Sequence, residues 1–279
     1  MIETIFLFIL ALIWIIFAAV QDFKSKEIAN WLNFSLIAFA LGFRLFYSLF
    51  SAGNLNFFYQ GLIGIGIFFI LGNLFYYGKL FAGGDAKLLI ALGAILPFSG
   101  NFYANLENFF LFLMIFLFVG AIYSIIVSTR LCLKNLGRFR KEFVKQFKVN
   151  RKIVTLLLLL SIVFVLLSFL NFYIIFLGIL TFVSPYLYLF AKAVDEISMI
   201  KNIETSKLRE GDWLYKDVKV KNRIIRARWE GLRKEEISIL RKEYKKILIR
   251  EGVVFTPVFL ISFVIFFYLW SRGLRYSFW

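Results

Sequence analysis

Two aspartates in this chain stand where a long apolar run meets a loop of distinctive composition. Acidic residues are scarce before position 195: they are Glu3, Asp22, Glu27, Asp85, Glu107 and Glu142. Of these, Asp22 and Asp85 are the pair at such junctions. Two carboxylates that approach one another in a partly dry site cannot both ionise cheaply, so they share a proton. The ionised partner can then take a proton from water while the other donates to a substrate carbonyl or a leaving amine. That is the requirement for aspartic hydrolysis of a peptide bond. Other chemistries are closed off by composition. There is no histidine, and Cys132 is the single cysteine. Ser–His and Cys–His catalysis, histidine-ligated metals, an internal disulfide and a cysteine zinc site are excluded. No metal and no cofactor is expected.

The neighbours of each aspartate sharpen this reading. Asp85 follows Ala82-Gly83-Gly84. Gly83 and Gly84 permit unusual backbone angles and the close approach of a substrate strand. Asp22 is followed by Lys24 and, further on, Asn30, while Lys87 follows Asp85. Lys24 and Lys87 are candidates either to bias a neighbouring carboxylate or to anchor a helix end at the membrane interface.

The elements that must hold these residues are set by composition. Of 279 residues, 61% are hydrophobic and 18% charged, with 37 phenylalanines and a mean hydropathy of +0.80. Soluble domains carry roughly 25% charged residues, so lipid must be the solvent for most of this chain. A spanning helix needs about 20 mostly apolar residues. Candidate spans are 4–20, 31–50, 57–77, 80–97, 108–129, a pair within 153–191 turning near 168–171, and 253–270. Gly61, Gly64, Gly66 and Gly72 in the third suit close helix packing in lipid. The first twenty residues lack a basic start and a small-residue cleavage site, so a removable signal peptide is not expected.

The net charge of +16 would suggest nucleic acid in a soluble protein. Here the cations lie between apolar runs: Lys24 and Lys26, nine Lys or Arg in 130–152, and sixteen in 201–250. The connections 51–56 and 99–106 have none. Eight spans place every basic segment on one side, which the positive-inside rule makes cytoplasmic, with both termini outside. Arg272 and Arg275 run mildly against that rule. Membrane lipids are expected partners, and nucleic acid is not. The fold class expected is a polytopic α-helical membrane protein of about 6–8 transmembrane helices with a small cytoplasmic α+β domain. The expected divisions are 1–130 with both aspartates, a basic loop 131–152, a hairpin 153–191, an α+β domain 192–251, and a final helix and tail 252–279. Within the polar domain, Gly211-Asp212 signals a turn, 213–229 short strands, and 232–250 a helix with Ile237, Leu240, Tyr244, Ile247 and Leu248 on one face.

The stretch from Asp22 to Asn30 resembles the first-aspartate motif of type IV prepilin peptidases. Ala82-Gly83-Gly84-Asp85-Ala86-Lys87 resembles their second motif, Gly-x-Gly-Asp, with alanine in place of the first glycine. Stretches 208–212, 230–237 and 254–260 are similar to archaeal members, so the resemblance recurs over nearly the whole chain. It implies an archaeal aspartic membrane endopeptidase with Asp22 and Asp85 catalytic and Gly83, Gly84, Lys24, Asn30 and Lys87 in support. The implied substrates are prepilins or preflagellins, whose short basic leader is cut at the cytoplasmic membrane edge before a hydrophobic helix. Six spans are associated with the archaeal preflagellin peptidase, so eight would make 153–191 an extra hairpin. Three other readings use the same features. A presenilin-type protease would need its aspartates deeper in the bilayer. A proton- or cation-coupled transporter would favour inverted repeats, and none is found. A membrane scaffold would not need the aspartates.

Overall fold

The computed structural model describes residues 2–78, 80–220, 223–228, 230–250 and 252–273. Arg275 of the tail, and Trp229 and Glu251 at the edges of expected segments, lie outside the described residues. The protein is 74% helical with a small strand-containing domain. Five helices are long and apolar enough to cross a membrane, and six if one bent pair counts as a single span. The chain divides into two compact units, one of residues 1–124 and 254–279, the other of 125–253.

The first unit holds α1 (Ile2–Ser25), α2 (Asn30–Tyr47), α3 (Asn56–Tyr77), α4 (Gly83–Gly93), the first two-thirds of α5 (Phe102–Lys134) and, after the second unit, α10 (Thr256–Ser271). In α1 the buried residues are Thr4, Leu7, Ala11, Ile15, Ala18, Ala19 and Asp22. That spacing is one face of a helix, and its small residues admit close neighbours. On α2 the buried stripe runs Leu32, Asn33, Leu36, Ala40, Arg44.

Helices α3 and α4 meet backbone to backbone. A Cβ on Gly64 would lie 2.2 Å from the Gly93 carbonyl oxygen, and one on Gly93 would lie 2.6 Å from that of Gly64. Gly72 crosses α4 at Ala86 and Ile90, and Gly61 is filled by the Arg44 side chain, whereas Gly66 meets nothing within 4 Å. Three of the four glycines of α3 therefore pack.

Helix α4 has only 11 residues, about 16 Å at 1.5 Å per residue, roughly half of a bilayer core. Residues 94–98 continue as buried, non-helical chain. Backbone groups freed inside a membrane must find partners, and Arg44 supplies them. This fully buried guanidinium donates from Nε to Ala94 O (2.7 Å), from Nη1 to Phe57 O (2.9 Å), and from Nη2 to Ile95 O and Pro97 O (3.1 and 2.5 Å). Asn105 of α5 completes the plug: Ser99 N–H donates to its Oδ1, and its Nδ2 donates to Ser99 O and Gln60 Oε1. Helix α10 packs through Val258, Phe259, Phe263 and Phe266, with Phe8 stacked on Phe267 (ring centroids 3.7 Å apart) and Phe116 tilted against Phe259 (4.8 Å).

The second unit begins with the end of α5. The basic segment expected as a loop is largely helical, forming α6 (Leu136–Val149), which meets α7 (Arg151–Leu167) at 77°. After a turn at 168–173 the chain returns as α8 (Ile174–Ser198). The polar domain follows: β1 (Ile200–Glu204), a short 3-10 turn, β2 (Trp213–Leu214), β3 (Val218–Val220), β4 (Arg223–Ile225), α9 (Lys234–Glu243) and β5 (Lys246–Arg250). Strand β5 lies between β1 and β2, antiparallel to both, with Ile203 opposite Ile247, and β3–β4 form a separate hairpin. The helix expected over 232–250 is therefore wrong in its second half. Lys246-Ile-Leu-Ile-Arg250 alternates, with Ile247 and Ile249 buried and Leu248 45% exposed. Its branched residues fit a half-buried strand better than a helix. Gly211 and Gly231, both at positive φ, bring two loops into contact, and Leu232 N–H donates to Asp212 O at 2.9 Å.

Candidate active site

Asp22 continues the buried stripe of α1 into its last turn and is 8% exposed, while Asp85 is the third residue of α4 and 9% exposed. The two carboxyl groups lie within electrostatic reach of each other. Their proximity is built locally. Helix α1 ends at Lys26, at φ 59°, whose N–H donates to Asp22 O at 2.8 Å. Gln21 Oε1 accepts from Ala29 N–H at 3.0 Å, folding the chain back toward α2. This turn buries Ile28 against Gly84, where an added Cβ would sit 3.2 Å from Ile28 Cβ.

A second tie joins the same two segments: Lys87 Nζ donates to Asn30 Oδ1 at 2.7 Å. Asn30, Gly84, Lys87 and both aspartates thus form one assembly. Gly83 differs from Gly84, because a Cβ there would meet only the Tyr76 ring at 3.7 Å. It leaves room for a backbone to approach. Lys24, two residues past Asp22, is exposed; the helical period turns it from the buried stripe, and it is not brought to the pair. Ala82 is extended, at φ −69° and ψ 159°, a conformation open to any residue. Alanine therefore fits where the motif has glycine. Asp85 faces the N–H of Ala82, the arrangement of an acid at the third position of a helix.

Residues from distant elements complete the surroundings. Thr256, the first residue of α10, donates its hydroxyl to Asp22 Oδ2 at 3.0 Å, and the N–H groups of Phe255 and Thr256 face the same carboxylate. Tyr123 of α5 donates to Val254 O at 2.8 Å. Phe81, just before Ala82, packs on Phe75, Phe116, Phe255 and Phe259 with ring centroids 5.0, 5.8, 5.6 and 6.2 Å away. Sequence reasoning did not single out Tyr123 or Phe81, and Thr256 lies in the family-like stretch 254–260 without having been given a role. The available signal was Thr256-Pro257, since proline at a helix start fixes where the last span begins. Among the described residues no three Cys, Asp or Glu come together as metal ligands; the donors that face Asp22 are a hydroxyl and backbone N–H groups, with the Lys26 charge within electrostatic reach.

Residues 9–125 match the model of the type IV leader peptidase family. The preflagellin peptidase of Methanococcus maripaludis (strain C6) is 34% identical over 100 residues, 36% of this chain and 43% of that protein. That of Methanococcus voltae is 29% identical over 137 residues, 46% of this chain and 57% of the relative. That of Methanocaldococcus jannaschii is 33% identical over 90 residues, 32% of this chain and 38% of the relative. The matches span 38% to 57% of the length of these curated relatives. No solved structure matches the chain. Asp22, Asp85 and the residues that tie them all fall within 9–125; Thr256 does not.

Proposed function

We propose, from the match of residues 9–125 to the model of the type IV leader peptidase family, that this chain is a membrane aspartic endopeptidase. Its substrates are prepilins or preflagellins, from which it removes a short basic leader at the cytoplasmic edge of the membrane. The observation that carries the reading is the buried carboxylate pair Asp22 and Asp85, on two separate helices clamped by Ile28–Gly84 and Lys87–Asn30.

One carboxylate, ionised, takes a proton from water as the water oxygen bonds to the scissile carbonyl carbon. The other, protonated, gives its proton to the carbonyl oxygen. When the resulting diol collapses, the carbon–nitrogen bond breaks, the leaving amine takes a proton from the first carboxyl, and a diol hydroxyl returns its proton to the second as the carbonyl re-forms. The pair ends with one proton, as it began, and the products are a free leader carboxylate and a new amino terminus. A hydrophobic substrate helix would lie in the bilayer, and its leader would reach the pair. Gly83 is open to that backbone. The placement of the aspartates in the last turn of α1 and the first turn of α4 favours edge cleavage over cleavage within a span.

The test is cleavage of a co-expressed prepilin or preflagellin by membranes carrying the wild type, Asp22→Asn or Asp85→Asn. Wild-type membranes should release a leader-sized fragment, and each variant should lose about 10³-fold or more in rate at unchanged protein level. Undiminished cleavage by either variant would overturn the two-carboxylate mechanism.

A further inference from the structure

We infer that Thr256 is a positioning residue of the active site, holding the Asp22 carboxylate in the orientation from which it takes the proton of water. This rests on the peptidase reading and extends it to a helix outside the family match. Thr256 is fully buried, and its hydroxyl reaches Asp22 Oδ2 at 3.0 Å across 234 residues of sequence. A buried hydroxyl cannot exchange that partner for bulk water.

The start of α10 is shaped for this contact. The first N–H groups of a helix have no acceptors within it, and the helix dipole is positive at that end. Here those of Phe255 and Thr256 face Asp22. Asp22 lies near the C-terminus of its own helix, where the dipole disfavours an anion, so α10 supplies the compensating sign. Pro257 sets where the helix begins, because its fixed φ suits a first turn and it has no N–H to lose. Tyr123 holds the preceding carbonyl of Val254, and the Phe255 ring is set against Phe81, Phe116 and Tyr123. A carboxylate has about four acceptor positions, so the Thr256 bond orients the group and leaves others for water.

The experiment is steady-state cleavage of a prepilin or preflagellin by the full-length protein, comparing Thr256→Val, Thr256→Ala and Thr256→Ser at matched membrane levels. Val and Ala should lower kcat about 10- to 100-fold, the range of a hydrogen bond to a charged group. KM should change less than about twofold, because the substrate does not touch this bond. Thr256→Ser, which keeps the hydroxyl, should recover most of the rate. Wild-type kcat in Val or Ala, or no recovery in Ser, overturns the inference. Failure of both Val and Ala to accumulate, with Ser stable, assigns the bond to folding and also overturns it. If the wild type cleaves no such substrate, the peptidase reading itself fails, an outcome distinct from these.

Discussion

Gly83 and Gly84 adjoin the same aspartate yet are constrained differently. A methyl group on Gly84 would press on Ile28 at 3.2 to 3.4 Å, whereas on Gly83 it would meet one ring atom at 3.7 Å. Neither has a left-handed backbone among the described residues, so space rather than dihedral freedom decides. Gly84→Val should separate the two aspartate segments and lower cleavage at least about 10-fold, as small displacements of reacting groups do. Gly83→Ala should fold normally, and any loss should appear in KM. Steady-state cleavage beside protein levels checks both. Lys87→Met removes the bond to Asn30. Because that bond is exposed, its loss should cost no more than about 1 kcal/mol of stability, read as thermal inactivation in detergent, with a clearer effect on rate. Lys24→Met should leave cleavage within about twofold, since an exposed lysine off the helix stripe holds nothing in place.

At the scale of the element, the short helix α4 is the unusual feature. It starts at Gly83, two residues before Asp85, and stops after 11 residues, so its C-terminal carbonyls end inside the unit. The dipole at that end favours a cation, and Arg44 provides one with a planar set of donors. Arg44→Met would strand the carbonyls of Phe57, Ala94, Ile95 and Pro97, each now accepting from the guanidinium. At about 1–3 kcal/mol for a buried unsatisfied group, the expected loss is at least about 3 kcal/mol, measured as a lower temperature of inactivation. Arg44→Lys should recover only part of it, because a single ammonium cannot span four carbonyls. Gly64 and Gly93 set the approach of α3 to the same helix. A larger residue at either would tilt α4 and move Asp85 with it.

For the molecule as a whole, charge placement carries a separate expectation. The turn after α1 bears Lys24 and Lys26, while the connections after α2 and α4 bear no Lys or Arg. By the positive-inside rule that turn, and with it the aspartates, is expected on the cytoplasmic side. A cysteine at Glu27 should be labelled by an impermeant maleimide only in permeabilised cells, and one at Asn54 in intact cells. The reverse pattern would place the site outside and contradict processing of cytoplasmic leaders. Composition by itself determined that lipid is the solvent, because 61% hydrophobic residues cannot be covered by a polar surface. Apolar run lengths gave most of the helices, but the run 80–97 holds a helix of only 11 residues; on α1 the structure buries Asp22 on one face with Leu7, Ala11, Ile15 and Ala18. The two aspartate motifs were legible because each is local. Residues 232–250 were misread because five alternating residues at their end also match part of a helical face, and only pairing with β1 and β2 makes them a strand. The bond from Lys87 to Asn30, the seat of Ile28 on Gly84, the four carbonyls on Arg44 and the contact of Thr256 with Asp22 were decided by the tertiary structure alone. Each joins residues far apart in sequence, and no pattern within one segment encodes which face of another segment it will meet.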